Sequence, residues 1–344
     1  MQIITEKVND SLFPHINILD SIYPDKRIMM FDIETTGLSP DRSFIYLIGM
    51  NLKIDGEWNI VLLFNDDGKS EPEIIRYFQE TLSNHDVLVE FNGDSFDINF
   101  VKRRMHIIST KLDITIPDHF DEVKPVDLMK LIRPYKFALG LPNIKQKTIE
   151  RYLGVDREDK YNGGQLIDVY LSFLTDKSEY SKKLVLQHNR DDMEGMLYLL
   201  DIFAIEALSS GHFSIKNIGT TTDAGILKFI LELQLDNKLP RRIFSSSNGI
   251  SFDGDGTTAL IKAPITSGTL NYYYPGAGKA FEEKEGYFVP ALNAILTTIP
   301  QYKKEYKDKL TYIEMCDSFL GSEECLISYA SEMCRLILKN LCKK

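Results

Sequence analysis

From Arg27 to Glu34 the chain reads Arg-Ile-Met-Met-Phe-Asp-Ile-Glu, a short and largely apolar run closed by Thr35-Thr36-Gly37. That pattern predicts a buried central strand followed by a turn. Two further strand-like runs, Phe44 to Ile54 and Trp58 to Phe64, are separated by Asp55-Gly56, a dipeptide suited to a tight hairpin. Three antiparallel strands in succession are therefore expected. Glu71 to Leu82 carries apolar residues at Ile74, Ile75, Phe78 and Leu82, the spacing of a helix with one buried face. Asp86 to Phe91 reads as another strand, stopped by Asn92-Gly93-Asp94, and Ser95 to Met105 reads as a helix. Helical patterns follow over about 127–153, with breaks at Pro134 and Pro142, then over 164–174 and about 181–208. This order predicts an α/β domain with a mixed sheet, antiparallel toward one side and flanked by helices.

Residues 1–26 read as a lead-in to that domain, which spans 27–210. Past Ser209-Ser210-Gly211 the texture changes. A helix is expected over about 222–234, amid Gly/Ser-rich turns and β-like runs at 258–261 and 269–274, and the last sixty or so residues return to a helical pattern. Residues 211–344 thus read as a smaller accessory α+β region, with no internal repeat and no low-complexity tract. A length of 344 residues suits one large domain plus a smaller one.

Composition narrows the class more than the function. Hydrophobic residues at 43% and charged residues at 26% are those of an ordinary globular protein, and no apolar run approaches the roughly 20 residues of a membrane span. The first residues lack a basic start leading into an apolar stretch, so a cytoplasmic location is expected. A formal net charge of −10 argues against a protein that coats nucleic acid with a uniformly basic surface. It does not argue against a nuclease, because catalytic carboxylates add negative charge that bound cations neutralise. Cys316, Cys325, Cys334 and Cys342 all fall near the end with no C-x-x-C pair, a pattern that fits buried free thiols better than a metal site.

The candidate chemistry lies in three acidic elements. Asp32 and Glu34 are two apart on a predicted strand, so both carboxylates point to one face. Acids at the end of an apolar strand are costly to desolvate unless a cation meets them. The second element, Asn92-Gly93-Asp94-Ser95-Phe96-Asp97, sits where a strand gives way to a helix, the usual place for a ligand in α/β sheets. Asp94 is read as the helix N-cap, with Asp97 a turn further in. In the third element, His188-Asn189-Arg190-Asp191-Asp192, His188 and Asp192 stand at i and i+4 on one helix face. Together the three elements would supply the oxygen-rich cage that two-metal phosphoryl chemistry needs.

Phe31-Asp-Ile-Glu-Thr-Thr-Gly37 resembles the first motif of the DEDD superfamily of 3′ to 5′ exonucleases, and Asn92-x-x-x-Phe96-Asp97 resembles the second. His188-Asn189-x-x-Asp192 resembles the third motif as it occurs in the YprB-type ribonuclease-H-like family. Residues 147–154, Gly164 and Tyr170 fit the helical region of the same family, and the resemblance covers about residues 27–205. It implies a ribonuclease-H-like fold. It also implies Asp32, Glu34, Asp97 and Asp192 as ligands of two Mg²⁺ or Mn²⁺ ions. One departure is visible: the superfamily usually has Tyr four residues, or His five, before the last Asp, whereas His188 is four before Asp192. The identity of the general base and the choice between Asp191 and Asp192 stay open at this point. His188 either takes a proton from the attacking water or orients Asp192.

For substrate contact the expected residues are Thr35, Asn92 and Phe96 of these motifs, with Lys145 and Lys147 of a basic stretch running from Lys124 to Arg151. That stretch either tracks a phosphate backbone or is a solvated helix face. Tyr272-Tyr273-Tyr274 could stack bases, although packing is the simpler use. The expected activity is metal-dependent 3′–5′ exonuclease cleavage of single-stranded or frayed DNA or RNA. The alternatives are a nucleic-acid-binding protein that does not cut, and a phosphoesterase for small nucleotides.

Overall fold

The computed structural model describes residues 1–157, 163–273, 280–291, 300–308 and 310–339. The chain divides into two compact units, one of Met1–Ile132 with Ile144–Leu200, the other of Arg133–Asn143 with Asp201–Lys344.

The first unit is an α/β layer structure. Its strands are β1 (Gln2–Lys7), β2 (Ile28–Thr35), β3 (Ile45–Ile54), β4 (Glu57–Phe64), β5 (Val87–Glu90) and β6 (Lys124–Asp127). Its helices are α1 (Phe13–Ile22), α2 (Glu71–Leu82), α3 (Asp97–Leu112), α4 (Leu128–Ile132), α5 (Gln146–Leu153), α6 (Gly163–Asp176) and α7 (Glu179–Leu199). The sheet order is β1-β4-β3-β2-β5-β6. β2 runs antiparallel to β3 and parallel to β5, and β5 runs parallel to β6, so the sheet is mixed. β1 pairs antiparallel with β4, which places part of the first 26 residues in this unit.

Period-two alternation along β2 sets up the site. Met29, Phe31 and Ile33 join the core beneath α2 and α3, with Ile74, Ile75, Phe78, Phe100, Val101 and Met105. Asp32 and Glu34 consequently face the other side, where α7 packs across β2, β3 and β4. Aromatic packing backs that side: the Tyr46 and Tyr170 rings stack with centroids 4.3 Å apart. No helix among the described residues is long and apolar enough to cross a membrane.

The second unit starts with α8 (Ile202–Ser209) and continues with β7 (Phe213–Asp223), β8 (Ile226–Leu235), β9 (Ile243–Ser247), β10 (Ile250–Asp255) and β11 (Thr258–Pro264). These strands form a sheet of order β7-β8-β11-β10-β9. β12 (Thr266–Tyr273), β13 (Ala280–Ala291), β14 (Gln301–Lys303) and β15 (Thr311–Glu314) close a small barrel. α9 (Asp317–Leu320) and α10 (Glu323–Leu338) complete the unit.

Several expectations are corrected. The stretch 222–234 is not a helix but a hairpin, because Ala224 and Gly225 both take positive φ (48° and 79°) and join Asp223 to Ile226. Phe229, Leu231, Leu233 and Leu235 then alternate into the core. Among the described residues, helix returns only from Asp317, since barrel strands occupy much of the stretch from Ala280 to Glu314. Tyr272 packs on the barrel core beside Tyr302, and Tyr273 lies beside Tyr306, while Tyr274 lies outside the described residues. Cys316, Cys325 and Cys334 are free thiols, but of these Cys334 alone is buried, and Cys342 also lies outside the described residues.

Candidate active site

β2 carries Asp32 and Glu34 into the site, α3 opens with Asp97, and α7 brings His188, Asn189 and Asp192 over the strand. Glu34, His188 and Asp192 each bring one ligand atom within 4.8 Å of the others. His188 Nε2 lies 3.3 Å from Asp192 Oδ2 and 3.6 Å from Glu34 Oε1. Asp97 Oδ1 accepts the Ile33 N–H at 3.3 Å, which ties the start of α3 to the strand between the two β2 acids. Asp191 is turned to a different partner, accepting from Gln187 Nε2 one turn back along α7.

Each carboxylate is held by its own donor. Asn189 Nδ2 donates to Asp32 Oδ2 at 2.8 Å, and the Tyr46 hydroxyl to Glu34 Oε2 at 3.4 Å. Arg157 Nη2 donates to Asp192 Oδ1 at 2.5 Å. The same guanidinium forms two bonds with Glu150, Nε to Oε2 at 2.8 Å and Nη2 to Oε1 at 3.1 Å. Gln146 Nε2 donates both to Glu150 Oε1 and to the Asp192 carbonyl, at 3.0 and 2.8 Å.

Two glycines permit these approaches. A Cβ on Gly49, which is paired with Asp32 across β2 and β3, would fall 2.1 Å from Asn189 Oδ1. A Cβ on Gly195 would fall 2.0 Å from Glu150 Oε1. α7 can therefore lie close to β3 on one flank and to α5 on the other.

The site is electrostatically strained as a set of bare side chains. Burial pushes the Asp32 carboxyl well above the usual carboxylate range, and the charges of Asp97, Glu34 and Asp192 push it further, while Arg157 pulls it down. Burial also raises Asp97, to about 7, against the backbone N–H bonds that favour its ionised form. Clustered, desolvated carboxylates are the donor set of a hard divalent cation. Arg157 offsets only part of the charge.

The other expected contacts are placed as follows. Thr35 is buried, and its hydroxyl donates to the Gly37 carbonyl at 2.9 Å. Phe96 packs on Phe100 with ring centroids 5.4 Å apart. Asn92 takes a positive φ of 65°, and its N–H bonds Asp127 Oδ1 at 3.0 Å. This bend corrects the reading of Asp94 as an N-cap. Its carboxylate instead pairs with Lys130 Nζ at 2.5 Å, and α3 begins at Asp97, so Asp97 is in the first turn rather than one turn in. Glu90, Asp94 and Asp127 form a second acidic group, in which burial and the Asp127 charge push Glu90 up to about 8.

The basic stretch is divided between the two units, and its members have different surroundings. Lys130 is engaged by Asp94, Lys124 lies over the Tyr23 ring, and Arg133 and Lys136 belong to the second unit. Lys145 is exposed and Lys147 half-buried, both at the start of α5. Sequence reasoning missed Tyr46, Gln146, Arg157 and the role of Asn189 as a donor. Only Glu150 and Asn189 stood within motifs that drew notice.

A family model of the RNase_H superfamily matches residues 29–204, the span that contains every residue of this site. The chain belongs to the ribonuclease H superfamily. Among relatives of this superfamily member, an uncharacterised protein of Methanocaldococcus jannaschii is 29% identical over 171 residues, covering 48% of this chain and 88% of its own. DNA polymerase 1 of Sulfurisphaera ohwakuensis is 26% identical over 228 residues, covering 53% of this chain but only 26% of the polymerase. The family B DNA polymerase structure from Pyrobaculum calidifontis aligns with a TM-score of 0.46 and 11% identity, over 92% of this chain and 46% of that one.

Proposed function

We propose that this ribonuclease H superfamily member is a metal-dependent nuclease, a 3′–5′ exonuclease acting on single-stranded or frayed nucleic acid ends. The observation that carries the proposal is the meeting of Glu34, His188 and Asp192 from one strand and one helix, beside a buried Asp32 that feels the charges of Asp97, Glu34 and Asp192. Buried acids that repel one another are retained at a stability cost, which a bound cation turns into function. The match to an archaeal DNA polymerase supports nucleic acid as the substrate, and the three motifs support the polarity.

Asp32, Glu34, Asp97 and Asp192 would hold two Mg²⁺ or Mn²⁺ ions. When bound, such ions supply a more acidic attacking water and charge stabilisation at the departing 3′ oxygen. The protein's own part is orientation and proton transfer. Asn189, Tyr46, the Ile33 N–H and Arg157 each fix one carboxylate, so the ligand oxygens are aimed before any cation arrives. His188 takes the proton of the attacking water at Nε2, the ring nitrogen that faces Glu34 and Asp192. Lys145 and Lys147 contact the phosphate backbone, and Thr35, Asn92 and Phe96 border the terminal nucleotide.

The test is digestion of end-labelled DNA and RNA, single- and double-stranded, with Mn²⁺ or with excess chelator. A ladder shortening from the 3′ end that requires Mn²⁺ is expected. Undegraded substrate with retained binding would instead favour a non-cutting nucleic-acid binder.

A further inference from the structure

We propose that Arg157 is a positioning residue for Asp192, holding one carboxylate oxygen so that the other is presented to a divalent cation. The inference rests on the metal-dependent reading above and adds to it a residue outside the three acidic motifs.

Its basis is how the two Asp192 oxygens are used. Oδ1 accepts from Arg157 Nη2, whereas Oδ2 faces His188 and lies in the group that includes Glu34. Arg157 is itself anchored from the far side. Glu150, 1% exposed, takes both the Nε and Nη2 donors, and Gln146 bonds Glu150 and the Asp192 carbonyl together. The chain of contacts therefore runs from α5 through the guanidinium to α7. Gly195 leaves room for Glu150 against α7, and larger residues there would push the anchor out. A planar fork holds both oxygens of Glu150 and one of Asp192 at fixed angles, a geometry that the rotatable donors of an ammonium do not reproduce.

The charge balance agrees with a retained, not displaced, guanidinium. Glu150 neutralises Arg157, which leaves the four site carboxylates to be matched by divalent ions. If Arg157 were a stand-in cation expelled on metal binding, Glu150 would be left buried without its partner, an arrangement that buried ion pairs strongly disfavour.

The experiment measures Mn²⁺ binding by titration calorimetry on the full chain, without substrate. Two variants leave the formal charge of the region unchanged: Arg157→Lys, and the double variant Glu150→Gln with Arg157→Gln. Both should bind Mn²⁺ about ten- to a hundredfold more weakly, the usual effect of removing a partner that orients a metal ligand. The metal-free double variant should still fold, since both members of the buried Glu150–Arg157 pair are neutralised together, with a lower melting temperature from the partner that Asp192 loses. Should Arg157→Lys fail to fold, the double variant decides alone. Mn²⁺ affinity equal to wild type in the folded variants would overturn the positioning role. Tighter binding would overturn it as well, and would identify Arg157 as a competitor for Asp192. A wild-type protein that binds no Mn²⁺ would overturn the metal-dependent reading itself, and this inference with it.

Discussion

Asn189 reaches Asp32 at 2.8 Å across the gap between α7 and β2, and it can do so because Gly49 on the neighbouring strand has no side chain. A methyl group at position 49 would fall 2.1 Å from Asn189 Oδ1 and 2.8 Å from Met193 Cγ. Gly49→Ala should therefore lower stability by about 1–3 kcal/mol, the range for overpacking a tight interior. Asn189→Ala in the Gly49→Ala background should relieve part of the loss, so the double variant is less destabilised than the sum of the singles. Denaturant melts of all four proteins measure this. Strict additivity would mean that α7 does not lie against Gly49.

In the metal-free state the buried acids make stability depend on pH. Burial raises Asp97 to about 7 and Asp32 well above its usual range, so the folded protein holds protons that the unfolded chain releases. For an acid raised on folding, the favourable contribution is fully present below the unfolded value, near 4, and is lost as pH rises through the folded one. Metal-free protein should accordingly melt at lower temperature at pH 8 than at pH 5.5. Asp97→Asn should flatten that dependence and raise the melting temperature at pH 8, while abolishing cleavage. A wild-type midpoint that rises steadily from pH 5.5 to 8 would contradict the proposed burial.

These two cases show which features of the site sequence could reveal. Asp32 and Glu34 were readable because a strand has one period, and two acids spaced by two must share a face. His188 and Asp192 were readable for the same reason on a helix. Arg157 and Tyr46 were not, because a lone Arg after a helix or a Tyr inside an apolar strand carries no periodic signal. Their contacts join residues remote in sequence, such as Arg157 to Asp192. The hairpins make the same point locally. Asp55-Gly56 and Ala224-Gly225 both place two successive residues at positive φ. Asp tolerates the left-handed region and announces a turn, whereas Ala does not, so only the first was legible.

Lys145 and Lys147 offer a test of the substrate path. Lys145 caps α5 and Lys147 follows in its first turn, on the helix that supplies Gln146 to the Asp192 carbonyl. Reversing both charges to Glu should weaken binding of long single strands. The slope of log affinity against log salt should flatten by about 1–2, because a phosphate that no longer meets a lysine keeps its condensed counterion. Fluorescence anisotropy at several salt concentrations reads the slope, and an unchanged slope would mark the two residues as a solvated helix end.

His188 gives the sharpest division of labour at the site. Its Nε2 stands 3.3 Å from Asp192 Oδ2 and 3.6 Å from Glu34 Oε1, beside both ligand oxygens. As general base it accepts the proton of the attacking water, so its loss in His188→Ala should slow the chemical step and leave the metal site occupied. That variant should lose roughly 10² to 10⁴-fold in rate and bind Mn²⁺ nearly as wild type. Asp192→Ala should instead weaken Mn²⁺ binding itself, because it deletes a ligand instead of a proton acceptor. Single-turnover rates, paired with calorimetric Mn²⁺ affinities for both variants, separate the two roles. If His188→Ala weakens Mn²⁺ binding as much as Asp192→Ala does, the imidazole orients Asp192 and the proton leaves by another route.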